Sequence, residues 1–182
     1  MPAERSGIEP DTKDWTWVLR RPCPECDFVA GAFDVTRTGV TLRENARAWA
    51  GLLGGDETAL RRRPDPATWS VLEYACHVGD VFGVFDERLV RMLTEDNPTY
   101  TNWDQDGTAV EGRYGEQDPA AVATGLQRSA AVLADRFDGV TGGQWARTGV
   151  RSDGAHFTVE SLARYLVHDL VHHLHDVGGA TS

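Results

Sequence analysis

The sequence has no long apolar run and few basic residues. No stretch of roughly 18 apolar residues occurs in the chain of 182, so we expect no membrane-spanning helix. Lys and Arg total 18, against 28 Asp and Glu, and the net charge is −10. Because phosphate binding needs a basic surface, this charge argues against nucleic acid as a partner.

Cysteine is also scarce, with Cys23, Cys26 and Cys76 only. An odd, low count does not fit a disulfide framework. Residues Met1 to Trp17 are polar and lack the apolar core of a signal peptide. We therefore expect a cytoplasmic protein.

The composition is that of an ordinary globular protein, with 41% hydrophobic and 25% charged residues. A chain of this length and composition suits one domain with a hydrophobic core. Residues 1–37 contain several prolines, and their apolar residues show neither helical nor strand periodicity. We interpret them as an irregular N-terminal arm, and residues 38–182 as the folded domain.

Four segments have the apolar periodicity of amphipathic helices. The predicted helices cover residues 42–53, 71–95, 119–138 and 159–177. Two capping boxes are predicted at their starts: Thr41 with Glu44, and Ser70 with Glu73. The pattern predicts an all-α four-helix bundle with long connecting loops at 55–69, 96–117 and 140–157. Within the last loop, Gln144 to Phe157 suggest a short hairpin.

Three polar residues border the apolar faces of the second and fourth predicted helices. His77 lies at the edge of the apolar arc of the second helix. On the fourth, His173 falls inside the arc and Asp169, one turn earlier, falls at its edge. Buried Asp and His are costly unless they are paired or bound to metal. The three residues therefore predict a two-His, one-carboxylate metal site with open coordination positions.

A rival pair lies on the same helix. His168 and His172 are also four residues apart, but they are predicted to cluster with His175 on the polar face. They are alternative ligands to accompany His77, or else residues that support the ligands or act as acid and base. A histidine at a helix edge is also compatible with a hydrogen-bonded core residue, so the ligand set stays open at this point.

Two other features carry possible chemistry. Cys23-Pro24-Glu25-Cys26 resembles half of a zinc ribbon or a redox Cys-x-x-Cys, but no second cysteine pair follows. Its interpretations are a structural role, or a metal site completed by a partner or by a distant histidine. Cys76 precedes His77, points away from it on the helix, and is expected to pack. Trp103 and Trp145 lie in long loops and are candidates to line a pocket.

The second and fourth helices resemble those of the DinB-like superfamily. Residues 69–77, Trp-Ser-Val-Leu-Glu-Tyr-Ala-Cys-His, are similar to its Trp-Ser-x-x-Glu-x-x-x-His signature. Residues 168–177, His-Asp-Leu-Val-His-His-Leu-His-Asp-Val, are similar to its fourth-helix signature. The resemblance covers about residues 40–178. The superfamily includes mycothiol-dependent maleylpyruvate isomerase and bacillithiol transferases.

The resemblance implies a four-helix bundle, often a homodimer, with a three-ligand metal site that holds zinc or nickel. It places one ligand on His77 and, by alignment of the His-His-Leu-x-Asp-Val end, another on His173. The remaining ligand then falls on Asp169, where relatives carry His or Glu. The register with His168 and His172 stays open.

The leading hypothesis for function is a thiol transferase or isomerase that acts on a small electrophile with mycothiol as co-substrate. Zinc is the expected metal, with nickel, manganese or iron as alternatives. One other hypothesis is a non-catalytic metal-binding stress-response protein. The last is a metal-dependent hydrolase with Asp80 or Glu73 as base.

Overall fold

The computed structural model describes residues 14–179, and four long helices dominate it. The six helices are α1 (Thr38–Leu53), α2 (Glu57–Arg61), α3 (Val71–Thr94), α4 (Gln105–Glu111), α5 (Pro119–Asp138) and α6 (Val159–Asp176). Helices α1, α3, α5 and α6 form the bundle, which confirms the predicted fold class. The predictions for residues 1–13 and 180–182 lie outside the described residues.

The ends of α3 and α6 follow directly from their local sequence. Ser70 caps α3 by accepting from the Glu73 backbone N–H, and the Glu73 carboxylate accepts from the Ser70 N–H. This is the predicted capping box. Helix α6 is followed by Gly178, whose φ of 69° is left-handed, and the Gly179 N–H donates to the Leu174 carbonyl. That arrangement satisfies a terminal carbonyl that the helix itself cannot pair.

The start of α1 was predicted wrongly. The helix begins at Thr38 and not near Leu42, so Thr41 and Glu44 lie inside it and form no capping box. The start signal is Asp34, whose carboxylate accepts from the Thr36 N–H and begins a 3₁₀ turn over Val35–Arg37. That turn leads directly into α1. A 3₁₀ turn at the N-terminus of an α-helix is common. It is too short to show a periodic pattern of apolar residues, so the sequence did not indicate it.

The bundle helices do not pack in chain order. Helix α5 packs closely against both α1 and α3, whereas α6 contacts α1 and α3 less extensively and scarcely meets α5. A simple up-down bundle would place consecutive long helices side by side. Here the consecutive helices α5 and α6 are not neighbours, and α6 lies against α1 and α3 instead. The site-bearing helices α3 and α6 are therefore in contact.

A small sheet joins two of the connections between the long helices. Its strands are β1 (Thr99–Tyr100), β2 (Thr148–Arg151) and β3 (His156–Thr158). Strands β2 and β3 form an antiparallel hairpin in which Gly149 pairs with Phe157, so the hairpin interpretation is confirmed. Strand β1 pairs in parallel with β2 and was not predicted, because two residues are too few to show a period.

A single apolar core fills the space between the helices, with Trp49 and Phe82 fully buried. Its residues come from all four long helices and from the sheet. Within residues 14–179, no helix is both long enough and apolar enough to cross a membrane.

Candidate metal centre

The interface of α3 and α6 brings together His77, Asp169 and His173, which we call the inner triad. One potential ligand atom from each lies within 4.8 Å of the others. Nε2 of His173 is 3.5 Å from Oδ1 of Asp169. Two ligands of one tetrahedral zinc ion, at ordinary bond lengths, lie about 3.4 Å apart. The structure thus assembles the three residues, while metal binding by them stays a prediction.

The inner triad contains buried polar atoms that lack partners. The His77 side chain is almost fully buried, and neither ring nitrogen has a hydrogen-bond partner among residues 14–179. Oδ2 of Asp169 is likewise buried and unpaired within that range. Such atoms are rare in folded proteins, because leaving them unpaired costs free energy. A divalent cation would satisfy one ring nitrogen of His77 and the Asp169 carboxylate, so the residues fit the metal that the family resemblance implies.

The charges in the inner triad are strongly coupled. Burial, and then the nearby His173, lower the pKa of His77 to about 3, so its ring is neutral and keeps a lone pair. Burial opposes the charged forms of His173 and Asp169, but the attraction between them outweighs it. The pKa of His173 is raised and that of Asp169 is lowered. Without a cation, these two residues therefore form an ion pair.

A fourth residue orients His173. Nδ1 of His173 lies 3.1 Å from Oδ2 of Asp176, whereas Nε2 of the same ring faces Asp169. Metal-bound histidines usually donate their second N–H to a carboxylate in this way. Sequence reasoning missed Asp176, although its position three residues after His173 places it on the same helix face.

A cavity of about 810 Å³ adjoins the inner triad, and both Asp169 and His173 line it. Their side chains are 32% and 17% exposed, whereas His77 lies behind them. The Trp103 ring also lines the cavity and stacks on His77 with centroids 5.2 Å apart. The prediction that both loop tryptophans line a pocket is confirmed for Trp103 but not for Trp145, which stacks on Phe137 outside this cavity. The indole N–H of Trp103 donates to Thr108 in α4, which holds the loop over the site.

The cavity walls are acidic. Among the described lining residues, Arg151 is the only Arg or Lys, and its guanidinium is already bonded to Asp153. The acidic lining residues come from the arm, the loops, α4 and α6, and they are Asp14, Glu25, Asp104, Asp106, Asp153, Asp169 and Asp176. The cavity therefore has a negative potential that disfavours a strongly anionic ligand.

His168 and His172 lie on the polar side of α6, as predicted, but that side is not solvated at these two residues. They are 3% and 7% exposed, because the N-terminal arm covers them. The ring of Trp15 lies against both, and Nδ1 of His172 is 3.7 Å from Sγ of Cys23. Among the described residues, the side-chain groups able to hold an ion place these histidines with Cys23 and Cys26 and not with His77. His175 is exposed, as predicted.

The two acidic residues considered as bases are engaged elsewhere. Glu73 forms an ion pair with Arg63 in addition to its capping role. Asp80 accepts a hydrogen bond from the Tyr114 hydroxyl and lines a smaller, separate cavity. Neither residue lines the cavity beside the inner triad, which contradicts the idea that either acts as a base there.

Comparisons with known proteins agree with this fold. The sequence model of the DinB superfamily matches residues 40–177. YfiT from Bacillus subtilis, described as a probable metal-dependent hydrolase with an unusual four-helix bundle topology, has a TM-score of 0.70 at 19% identity. The alignment covers 78% of this chain and 82% of YfiT. No curated protein matches the sequence.

The mycothiol-dependent maleylpyruvate isomerase is a second structural neighbour. Its structure gives a TM-score of 0.63 at 12% identity, and a histidine-to-alanine mutant of the same enzyme gives 0.64 at the same identity. Each alignment covers 84% of this chain but 64% of the isomerase. The chain therefore spans less than two thirds of that protein, and at this identity the likeness concerns the fold alone.

Proposed function

Because the chain belongs to the DinB superfamily, we propose that it is a divalent-metal-dependent enzyme that transfers mycothiol to a small electrophile or uses mycothiol to isomerise it. One observation carries the proposal: the inner triad lies at the side of a large cavity, with two of its three residues exposed to it. Among the structural neighbours, YfiT, described as a probable metal-dependent hydrolase, supports the metal dependence, and the mycothiol-dependent isomerase supports the use of mycothiol.

The ligands in this proposal are His77, Asp169 and His173, each with one ligand atom within 4.8 Å of the others. Catalytic zinc sites typically have three such ligands and leave a further position for water or substrate. A divalent ion held there supplies Lewis acidity, which lowers the pKa of a bound thiol or water. Zinc is the metal that we propose, since imidazole and carboxylate are both ligands that it accepts.

The size of the cavity favours an enzyme over a closed metal-binding module. A purely structural site would fill all the positions with protein groups, and no pocket would be required. Here about 810 Å³ adjoins the triad, which is within the range of roughly 300–1,000 Å³ typical of small-molecule sites. That volume can hold a thiol co-substrate together with a small electrophile.

The charge of the cavity constrains the substrate. Carboxylates such as Asp104 and Asp153 dominate the walls, and Arg151 is already paired. Carboxylates accept hydrogen bonds from hydroxyl groups, which a sugar-based thiol such as mycothiol presents. We therefore propose that the electrophile is uncharged or cationic, since a dianion would be repelled.

Residues of the chain itself prepare the site. Trp103 and Trp69 each lie 5.2 Å, centroid to centroid, from the His77 ring, and they exclude water from it. Asp176 accepts a hydrogen bond from Nδ1 of His173, which directs Nε2 toward Asp169. A role of His172 or His168 as acid or base stays a prediction from the sequence.

The direct test is a thiol-consumption assay with zinc-loaded protein, mycothiol and a panel of neutral, cationic and dianionic electrophiles. We expect metal-dependent conversion of the uncharged or cationic members. His77→Ala should lose about 100-fold or more in rate, because it removes one of three ligands. Cys76→Ser is the matched control on the same helix, since the Cys76 thiol contacts the Tyr114 carbonyl away from the triad.

Two outcomes would contradict the proposal. One is metal bound at the inner triad with no thiol-dependent conversion of any electrophile. The other is hydrolysis of esters or amides at the same rate with and without mycothiol, which would favour a hydrolase. A cytoplasmic location and a homodimer remain predictions from the sequence.

A further inference from the structure

The N-terminal arm and helix α6 form a second group of potential ligands, distinct from the inner triad. It consists of Cys23, Cys26, His168 and His172, and we call it the arm cluster. One sulfur or ring nitrogen from each lies within 4.8 Å of all the others. Cys23 and His172 are 149 positions apart in the sequence, so only the fold brings the cysteines and the histidines together.

The spacing within the arm cluster suits a tetrahedral ion. Sγ of Cys23 is 3.7 Å from Nδ1 of His172. Sulfur and nitrogen ligands of one tetrahedral zinc ion lie about 3.5 Å apart when the Zn–S and Zn–N bonds have their usual lengths. Two cysteines and two histidines are also a ligand set that structural zinc sites commonly use.

Three of the four residues in the arm cluster are buried, Cys26 is half-buried, and one ring nitrogen is unpaired. Cys23 is 1% exposed and His168 is 3% exposed. Nε2 of His168 is buried with no hydrogen-bond partner among residues 14–179. A buried, unpaired ring nitrogen is costly without a partner or an ion to satisfy it.

The backbone around the cysteines is a tight, preformed turn. The Asp27 N–H donates to the Cys23 carbonyl, and the Cys23 N–H donates to the Phe28 carbonyl. Asp27 has a φ of 58°, a left-handed conformation that non-glycine residues seldom adopt. The turn holds Cys23 and Cys26 on one side, toward α6.

The surroundings of His172 resemble those of a metal-bound histidine. While Nδ1 faces Cys23, Nε2 lies 3.4 Å from a carboxylate oxygen of Glu25 and 3.7 Å from one of Asp176. A carboxylate on the second ring nitrogen fixes the orientation of a ligating histidine. Glu25 and Asp176 thus stand where such orienting carboxylates are expected.

We propose that Cys23, Cys26, His168 and His172 bind one zinc ion, which fastens the N-terminal arm to helix α6. Each thiol releases its proton to solvent as its sulfur bonds to the ion. Four protein ligands complete the coordination, so the ion is structural and not catalytic. Because Trp15 and Glu25 of the arm line the cavity beside the inner triad, this ion also holds one wall of that cavity in place.

The first experiment measures zinc per chain by elemental analysis of protein purified under reducing conditions. The double variant Cys23→Ser/Cys26→Ser should contain one zinc ion fewer than the native chain. Cys76→Ser, which removes the third cysteine, should keep the native content. His77→Ala should lose the inner ion and retain the arm ion, so failure of the inner triad and failure of the arm cluster are distinguishable.

The second experiment uses the native chain, so it does not depend on whether a variant folds. Replacement of zinc by Co²⁺ should produce the intense thiolate-to-cobalt charge-transfer absorption, and titration should show one sulfur-bonded ion per chain. Native-level zinc in Cys23→Ser/Cys26→Ser would overturn the proposal. The absence of the charge-transfer band in the Co²⁺-loaded native chain would also overturn it. A disulfide between Cys23 and Cys26 in protein purified with a reducing agent would do the same.

Discussion

Helix α6 carries two pairs of potential ligands, and they meet different parts of the molecule. Asp169 and His173 face α3, where His77 lies behind them. His168 and His172, one residue earlier in each case, face the N-terminal arm and its two cysteines. Both groups border the same cavity, but Asp169 and His173 are partly exposed to it, whereas Cys23, His168 and His172 are buried beneath the arm.

The two groups share one neighbouring residue. Oδ2 of Asp176 is 3.1 Å from Nδ1 of His173, and Oδ1 is 3.7 Å from Nε2 of His172. Histidines four residues apart or paired with a carboxylate occur in both groups, so ligand type and helical spacing do not distinguish an open site from a closed one. What distinguishes them is the element packed against each face of α6: a helix with one histidine, or a turn with two thiols.

The largest expected effect is on proteolysis of the N-terminal arm, which depends on the arm cluster and not on the inner triad. Removal of zinc with a chelator should increase tryptic cleavage after Arg20 about ten-fold or more, because the arm opens more often without the arm ion. Arg20 is exposed and lies in the arm, and the arm fragment can be followed by mass spectrometry. Without chelator, the His77→Ala variant should be cleaved after Arg20 at the same rate as the native chain, because it keeps the arm ion. Equal cleavage with and without chelator would contradict the proposed fastening.

The next effect concerns the shared carboxylate. Asp176→Asn should weaken binding of the inner ion by about 10- to 100-fold, which is typical of the loss of a carboxylate that orients a ligating histidine. The arm ion should weaken less, since Asp176 lies farther from His172 than from His173. Competition with a fluorescent zinc chelator would give both affinities. A larger loss of zinc affinity at the arm cluster than at the inner triad would contradict this prediction.

A third change affects the start of helix α3, which carries His77 of the inner triad, and does not touch the arm. Glu73→Gln should lower the free energy of unfolding by about 2 kcal/mol, or roughly 4–8 °C in melting temperature, because it breaks the ion pair with Arg63. Tryptic cleavage of the arm should not change. Thermal unfolding followed by circular dichroism measures the first effect, and a melting temperature equal to that of the native chain would count against it.

The same variant has a defined pH dependence. Burial opposes ionisation of Glu73, but Arg63 and the Ser70 N–H outweigh it and lower its pKa below the usual 4.5. The ion pair therefore contributes fully above about pH 4.5, and its contribution is lost as the pH falls through the lower folded pKa. The gap in melting temperature between Glu73→Gln and the native chain should shrink on acidification over that window.

The smallest effect is expected in α1, which contributes to neither group. A Cβ on Gly39 would lie 3.0 Å from the Ala134 carbonyl oxygen and would overlap the Asp138 carboxylate, so Gly39→Ala should destabilise by about 1 kcal/mol. Gly83→Ala in α3 is the matched control, because no neighbouring atom lies within 4 Å of its added Cβ. It should stabilise by about 0.5–1 kcal/mol through helix propensity. Thermal unfolding measures both changes, and metal content should be native in both variants.

Short-range features of the fold were predictable from the sequence. Helices α3, α5 and α6 begin and end within one residue of their predicted bounds, because capping residues and apolar periodicity act over a few residues. The same local geometry placed Asp169 and His173 together on the face of α6 toward α3. The start of α1 and strand β1 were missed because neither has a periodic signal.

The partners of each face were decided by tertiary structure alone. The apolar period of α6 assigned His168 and His172 to the polar side, and a polar side is ordinarily solvated. Only the folded arm, with Trp15 and the Cys23 turn against that side, shows that the two histidines are buried. Helical periodicity specifies which residues share a face, whereas contacts between segments so distant in sequence arise from packing of the whole chain.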